Sequence, residues 1–441
     1  MQLHHPIPPL FVAAALSLCA AAHAETVAPE TTVGPQPALP APKNPLLPTI
    51  NIAPAQGWPD GVKPLAARGT EVAAFARGLQ HPRWLHVLPN GDVLVAESNA
   101  PPKPKDAPGG FKRWVMKKVM QRAGAGVPSA NRITLLRDAD GDGTAETRSV
   151  LLDKLTSPFG VALVGERLYV ANADGIVRFP FKPGQTRIDA PPEQVTDLPA
   201  GLNHHWTKNI IASPDGRKLY ATVGSNSNVG ENGMESEQGR AAIWEVDVAT
   251  GAKRLYATGL RNPNGLAWVP GTGALWTVVN ERDELGDDLV PDYLTSVQDG
   301  AFYGWPYSYW GSNVDQRAQP PRADLVAIAI APDYALGSHV APLGLAWSDK
   351  AALPAPFTEG MFIGLHGSWN RAELAGYKVV FVPFAQGRPS GPPVDLLTTF
   401  VNDGGLAYGR PVGVAVDSRG AVLVADDVGN TIWRISSATP G

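Results

Sequence analysis

From residue 70 to residue 437 the chain alternates short apolar runs with turns rich in Gly, Pro, Asn and Asp, and one pattern recurs six times. Each copy has a Pro or polar turn, an apolar strand, a D-G or G-x turn and a second apolar strand. The copies are "HPRWLHVLPNGDVLVAES", "SPFGVALVGERLYVANA", "HHWTKNIIASPDGRKLYATVG", "NPNGLAWVPGTGALWTVVN", "APLGLAWSDK…EGMFIGLHG" and "RPVGVAVDSRGAVLVADD". Two strand-like runs around a Gly-bearing turn predict a β-hairpin. Further runs lie between the copies, among them "NRITLLRD", "TRSVLLDKL", "GIVRFPF", "AAIWEVDV", "KRLYATGL", "YKVVFVPF", "DLLTTF" and "TIWRIS". Two inner and two outer strands, six times over, predict an all-β chain folded as a six-bladed β-propeller. After the sixth hairpin only "NTIWRISS" remains, whereas a spare strand, "TEVAAFARGL" at 70–79, precedes the first. That N-terminal strand is expected to complete the last blade and close the ring without an open edge.

The spacing between copies is uneven, and the excess marks insertions. Residues 100–129 hold a basic helical stretch at 111–122 inside the first blade, and residues 307–338 form an aromatic, Pro-rich excursion near the fifth. Ahead of the propeller, assigned to 67–438, residues 25–66 are Pro-rich and aperiodic, an extended linker or an arm lying over the domain. The first 24 residues read as a signal peptide: an apolar run at 10–22 ends in Ala22-His23-Ala24, a small-x-small cleavage signature. The run is too short for a permanent bilayer span, so export to the periplasm or beyond is expected. The single cysteine, Cys19, lies inside this leader. A mature chain without thiols excludes disulfides, zinc–thiolate sites, Fe–S clusters and a C-x-x-C-H haem. With 37 basic against 41 acidic residues the chain lacks the basic excess of a nucleic-acid binder.

The first strand of each blade lines the central channel, and residues at its entry point toward the axis. Those positions hold Pro158, His205, Arg261-Asn262, Leu343 and Arg410. A histidine, two arginines and an asparagine converging on one funnel form a polar cluster with no packing purpose. Counting along the repeat gives His205 the channel-facing place and turns His204 to the opposite side. "DADGDGTAE" at 138–146 resembles the start of an EF-hand loop, but its twelfth position is Ser149, so it reads as a hairpin turn.

The segments "GLRNPNGLAW" (259–268), "ERDELGDDL" (281–289) followed by "FYGWP" (302–306), "HVAPLGLAW" (339–347) and "HGSWNR" (366–371) resemble the soluble quinoprotein sugar dehydrogenases, and among them the sorbosone-dehydrogenase branch. The resemblance implies a six-bladed propeller with pyrroloquinoline quinone (PQQ) over a calcium ion in the central funnel. It implies His205 as the base, nine residues before the Pro214-Asp215 turn, and Arg261 and Asn262 on the quinone, Arg261 acting in catalysis as well. Arg410 matches a late cofactor-binding arginine, and His366 or Arg371 stands in for a lysine on the quinone carboxylates. Calcium would rest on the backbone carbonyls of Arg282 and Asp283. The sequence departs from the glucose enzymes at Pro158 (a glutamine there), at Leu343 (a threonine) and at Ser225, where an aspartate orients the histidine; Glu231, Glu235 or Glu237 would have to serve instead.

The chemistry suits these residue types. Guanidinium forks match a tricarboxylate, and calcium takes oxygen ligands. The implied activity is oxidation of an aldose or a sorbosone-like sugar aldehyde, with electrons passed to a separate acceptor, a cytochrome or a quinone, and weak membrane association through the basic helix. A calcium-dependent propeller lactonase, needing converging carboxylates, and a non-catalytic binding propeller are the alternatives.

Overall fold

The computed structural model describes residues 29–43, 49–105 and 111–438; the leader assigned to residues 1–24 lies outside them. Six antiparallel sheets of at least four strands radiate from one axis. The six sequence echoes are their inner hairpins: Pro82–Val87 with Val93–Glu97, Val161–Val164 with Arg167–Asn172, Ile210–Ala212 with Lys218–Val223, Asn262–Val269 with Ala274–Asn280, Pro342–Trp347 with Gly360–Leu365, and Pro411–Val416 with Val422–Asp426. The sixth blade takes its outermost strand from the N-terminal side of the ring. Thr70–Ala76 pairs antiparallel with Thr431–Ser437, setting Val72 opposite Ile435. This is the predicted closure, and it leaves neither end of the ring as a free edge.

The inner strands crowd the axis, and glycine sets how close they come. A Cβ on Gly344 of the fifth blade would lie 2.1 Å from the Val412 carbonyl oxygen of the sixth. One on Gly413 would meet the Arg83 carbonyl of the first blade at 2.8 Å. These glycines carry no unusual φ; their role is to let backbone approach backbone. The apolar core fills the wedges between neighbouring blades rather than the axis. Phe362, Phe381 and Trp433 occupy the wedge between blades five and six, and Phe75, Leu85, Val95 and Ile432 the closing seam between six and one.

Loops entering the first strands and loops leaving the second strands all emerge on one face. The first-blade insertion reaches it. The first-blade insertion carries a helix, Phe111–Met120, followed by a wider turn at Gln121–Ala125. The Pro-rich segment is an arm across the same face: Asn51 N donates to Trp369 O (3.0 Å), Ala55 N to Arg122 O (2.8 Å), and the Trp58 indole to Asp426 Oδ2 (2.6 Å). Its flanks add short strands to the rim, Val33–Gly34 beside Tyr334–Ser338 and Leu65–Ala66 beside Val394–Thr398.

Some elements were not legible in the pattern. Tyr334–Ser338 is the fourth strand of blade four, so the excursion expected near the fifth blade belongs to the fourth. Pro291–Val297 is almost wholly buried, and Glu193–Asp197 is mostly exposed, so neither shows period-two alternation. The "DADGDGTAE" segment turns between the third and fourth strands of blade one, on the opposite face, with Ser149 inside the fourth strand. Carboxylate oxygens of Asp138, Asp140, Asp142 and Glu146 gather there within 4.8 Å. Among the described residues no helix is long and apolar enough to cross a membrane.

Phe75 is 3% exposed within the closing seam. Phe75→Ala should cost about 3–5 kcal/mol, as large-to-small core changes do. Denaturant unfolding of the variant beside the parent checks it, and a loss under 1 kcal/mol would count against the seam as a packed closure.

Candidate active site

His205 lies in the loop 198–209 that enters the third blade, before its strand begins at Ile210. Strand alternation therefore does not separate the two histidines. The His204 ring stands edge-on against that of His205, centroids 4.7 Å apart, which corrects the expectation that His204 turns away. His205 Nδ1 lies 2.9 Å from the Ser225 carbonyl oxygen and 3.0 Å from Ser225 Oγ. Ser225 Oγ itself donates to Ser227 O at 2.7 Å, so it receives from the imidazole. This fixes the proton on Nδ1 and leaves Nε2 as the acceptor nitrogen. The serine standing in the aspartate position thus does the orienting, with no carboxylate touching the ring. Burial, followed by His204, Arg261 and Lys103, holds the His205 pKa well below the ordinary histidine value.

Arg261, expected on the cofactor, is 3% exposed and turns its guanidinium into the loop after the second strand of blade four. It donates to Glu281 O (2.6 Å), Asn228 Oδ1 (3.0 Å) and Asp283 Oδ2 (2.8 Å). His339, buried on the other side of Asp283, sets Nδ1 3.3 Å from its Oδ1 and Nε2 2.9 Å from Gly286 O. Burial works against it, but this carboxylate and carbonyl raise the His339 pKa; Arg261 and His339 together lower that of Asp283. Arg282 is also buried, ion-paired to Asp315, and its Nη1 donates to Asp283 O at 2.6 Å. Asn228 Nδ2 reaches the same oxygen at 3.1 Å. Of the two carbonyls expected to hold calcium, that of Asp283 is therefore filled by two N–H donors and flanked by guanidinium charge. A divalent cation does not fit there in this arrangement.

A second buried ion cluster spans blades one, five and six. Asp427 accepts from Arg83 and lies 2.9 Å from His366 Nε2 and 3.6 Å from His81 Nε2. Against the cost of burial, His366, His81 and Arg83 hold its carboxyl far below the usual range. Burial takes His366 down to about 4 despite that neighbour. The Arg410 guanidinium lies 4.7 Å from the Tyr377 ring centroid and donates to Ala53 O of the arm at 3.0 Å and to His366 O at 3.4 Å. Arg371 points elsewhere: its nearest partners are Ser338 O and Asp288 Oδ1, both at 3.5 Å. The structure thus brings His366 and Arg410 together, with Arg261 and His205 farther round the ring, and leaves Arg371 at the edge.

Sequence reasoning missed Arg83, Asp427 and His339. With the prolines aligned, "HPR" sets His81 level with Asn262 and Arg410, and Arg83 level with Asn264 and Val412, so the repeat pointed to His81 and not to Arg83. Asp427 closes the sixth copy, level with Ser98 of the first, so its position repeats but its residue type does not; His339 lies in a loop whose length differs between blades.

Several buried polar atoms of this funnel have no hydrogen-bond partner: Nε of Arg83 and Arg410, Oδ1 of Asn262, Asn264 and Asp427. Each would cost roughly 1–3 kcal/mol if left dry. Two guanidinium donors and three acceptor oxygens left incomplete fit a bound group that carries both anionic oxygens and N–H or O–H donors better than an empty channel.

The profile of a family described as TrAA12-like matches residues 125–319 and 322–438. The chain belongs to that family. A PQQ-dependent pyranose dehydrogenase of Coprinopsis cinerea is 23% identical over 434 residues, covering 84% of this chain and 54% of that protein, so the chain spans about half of that relative. The holo form of that enzyme's PQQ domain superposes with a TM-score of 0.67 at 21% identity, over 88% of this chain and 100% of that one. A calcium structure of the Trichoderma reesei carbohydrate-active enzyme of family AA12 gives 0.68 at 19% identity, over 88% and 99%. The resemblance to soluble PQQ-dependent sugar dehydrogenases seen in the sequence is borne out at the level of family.

His366 makes a pH prediction. Its folded pKa of about 4 lies below the ordinary 6.5, so its contribution is present above pH 6.5 and lost as pH falls toward 4. Unfolding free energy should drop through that window in the parent and less steeply in His366→Gln, as denaturant melts at pH 7, 6, 5 and 4.5 will show.

Proposed function

We propose that the chain is a PQQ-dependent dehydrogenase that oxidises an aldose or a sorbosone-like sugar aldehyde. The observation that carries this is His205, its Nδ1–H tied to Ser225 and its Nε2 left as acceptor, in one funnel with incompletely bonded arginines. Bound PQQ would supply the two-electron acceptor. Arg410 and Arg83 would hold its carboxylates, with His366 and Asn262 beside them, since forked cations match planar anions. Arg261 would act on it through fixed charge rather than as a free donor, because its own N–H groups are engaged. His205 Nε2 would take the proton of the sugar hydroxyl as the C–H bond is broken. The low pKa of His205 keeps the imidazole neutral, and so able to accept, at and below pH 6.5.

Calcium is supported by the Trichoderma structure, whereas the Asp283 carbonyl is already taken by two N–H donors here. Positive charge at that end of the funnel is contributed by Arg261 and Arg282 themselves. A lactonase built on calcium needs free carboxylates, yet Asp283 and Asp427 are both taken by guanidinium groups. Export of the chain and a separate acceptor, cytochrome or quinone, complete the proposal; the residues after Cys19 hold no cysteine and so no C-x-x-C-H haem site.

Titrating the purified chain with PQQ, then running dye-linked assays on a panel of sugars, tests the proposal. Binding and turnover are expected, and absence of PQQ binding would overturn it. His205→Ala should lower kcat by about 10²–10⁴-fold with PQQ affinity little changed, whereas Arg410→Ala should weaken PQQ binding. The acid limb of kcat/KM should fall below pH 6.5, and a limb at or above 7 would contradict the low pKa of the base.

A further inference from the structure

Behind His205 lies a group of buried polar residues, of which the sequence named only Glu237, as one of three glutamates that could stand in for the orienting aspartate. Two separate segments fix the imidazole. One is the loop 200–205, which carries it; the other is 224–227, whose Ser225 carbonyl and hydroxyl hold Nδ1. Neither segment is in regular structure, and Asn203 sits at φ 44°, a conformation that needs outside support.

Arg240 and Glu237, three residues apart in the same blade-three loop, grip both segments. The Arg240 guanidinium is 6% exposed. Its Nη2 donates to Ala200 O at 2.6 Å and to Asn203 Oδ1 at 2.9 Å, while Nη1 donates to Gly224 O at 3.3 Å. One planar fork therefore spans the loop that carries His205 and the residue preceding Ser225. Glu237 accepts from Asn226 N at 2.7 Å and from Ser227 Oγ. Asn226 Oδ1 in turn accepts from His204 N at 3.0 Å, and Ser227 O takes the hydroxyl of Ser225. Arg240 N donates to Glu237 O at 2.9 Å, so the two act from one platform. On the outer side Lys103, from the first-blade insertion, donates to Leu202 O and Asn203 O at 2.9 and 2.8 Å.

We propose that Arg240 and Glu237 are positioning residues that set the tautomer and aim of His205, together replacing the single carboxylate that orients the base in the glucose enzymes. Two buried charges do at one remove what one aspartate does by contact. Arg240 fixes the distance between the two segments, and Glu237 orders the chain of hydroxyl and carbonyl dipoles that ends on Nδ1. A lysine at 240 has the charge but not the fork, so it satisfies one segment and not both.

This rests on His205 being the base, and the experiment separates the two claims. Two-bond proton–nitrogen correlation spectra of the histidine-labelled apoprotein, with His205 assigned by its loss in His205→Ala, read the tautomer without cofactor or turnover. The parent should show Nδ1–H alone. Arg240→Gln and Glu237→Gln should each shift His205 toward a mixture of tautomers. In the reconstituted enzyme they should lower kcat by about 10–100-fold, leaving KM and PQQ affinity within about threefold. Arg240→Lys should recover only part of the loss. Should Arg240→Gln unfold the chain, Ser225→Ala, which removes only a hydroxyl, gives the same readout at the end of the relay. An unchanged tautomer and unchanged kcat in both Gln variants would overturn the inference while leaving the base intact. Full activity in His205→Ala would instead overturn the proposed mechanism.

Discussion

Six strands meeting around one axis closely enough that only glycine fits between some of them is the constraint on which the rest depends. At that spacing the axis has no room for an apolar core, so the hydrophobic residues withdraw to the wedges between blades. The mouth of the ring is then lined by whatever side chains stand at the strand entries, and these are charged. Buried charges need partners. Asp283 and Asp427 supply them at two points of the ring, each drawing in an arginine and a histidine. The funnel is thus an arrangement of compensated ions from which a few N–H and carbonyl positions are left over, and those leftovers are the groups available to a ligand.

His205, the residue proposed as the base, is treated differently from the cations. Arginines are paired with carboxylates and carbonyls, with Nε of Arg83 and Arg410 left over, whereas His205 is given only a serine and a carbonyl. A carboxylate at Ser225 would stabilise imidazolium and raise the pKa of the ring. A neutral partner fixes the proton on Nδ1 without that effect, so orientation is obtained without making the ring a weaker acceptor at mildly acidic pH. The separation of aim from charge is what the Ser225 position accomplishes.

How much of this was legible follows from which features repeat. The six hairpins, the outer strands with alternating burial and the closing strand at 70–76 all carry period-two patterns or turn signals, and so the ring could be counted. Arg261, Asn262 and Arg410 sit at repeat-equivalent entries and were found for that reason. Arg371, carried over by motif alone, lies 3.5 Å from Ser338 O and Asp288 Oδ1, with its buried Nε unpartnered. Asp427 closes the sixth copy, where the first has Ser98, so no residue type repeats there; His339 and Arg240 lie in loops of unequal length, where no register leads to them. The phase of His204 and His205 was misjudged because the strand starts five residues later than the alternation argument assumed.

The arm across the site face ties the mouth of the funnel to the order in which the chain can assemble. Ala53 receives a hydrogen bond from Arg410, 357 residues away in sequence, and Trp58 donates one to Asp426, 368 away. These contacts form only once both ends of the chain are present, and so does the pairing of Thr70–Ala76 with Thr431–Ser437. Pairings of such sequence separation carry a high loop-closure cost and come late in folding. The ligand mouth is therefore among the last surfaces of the molecule to exist. A partly made chain has its blades, its arginines and its histidine, but nowhere to put a cofactor.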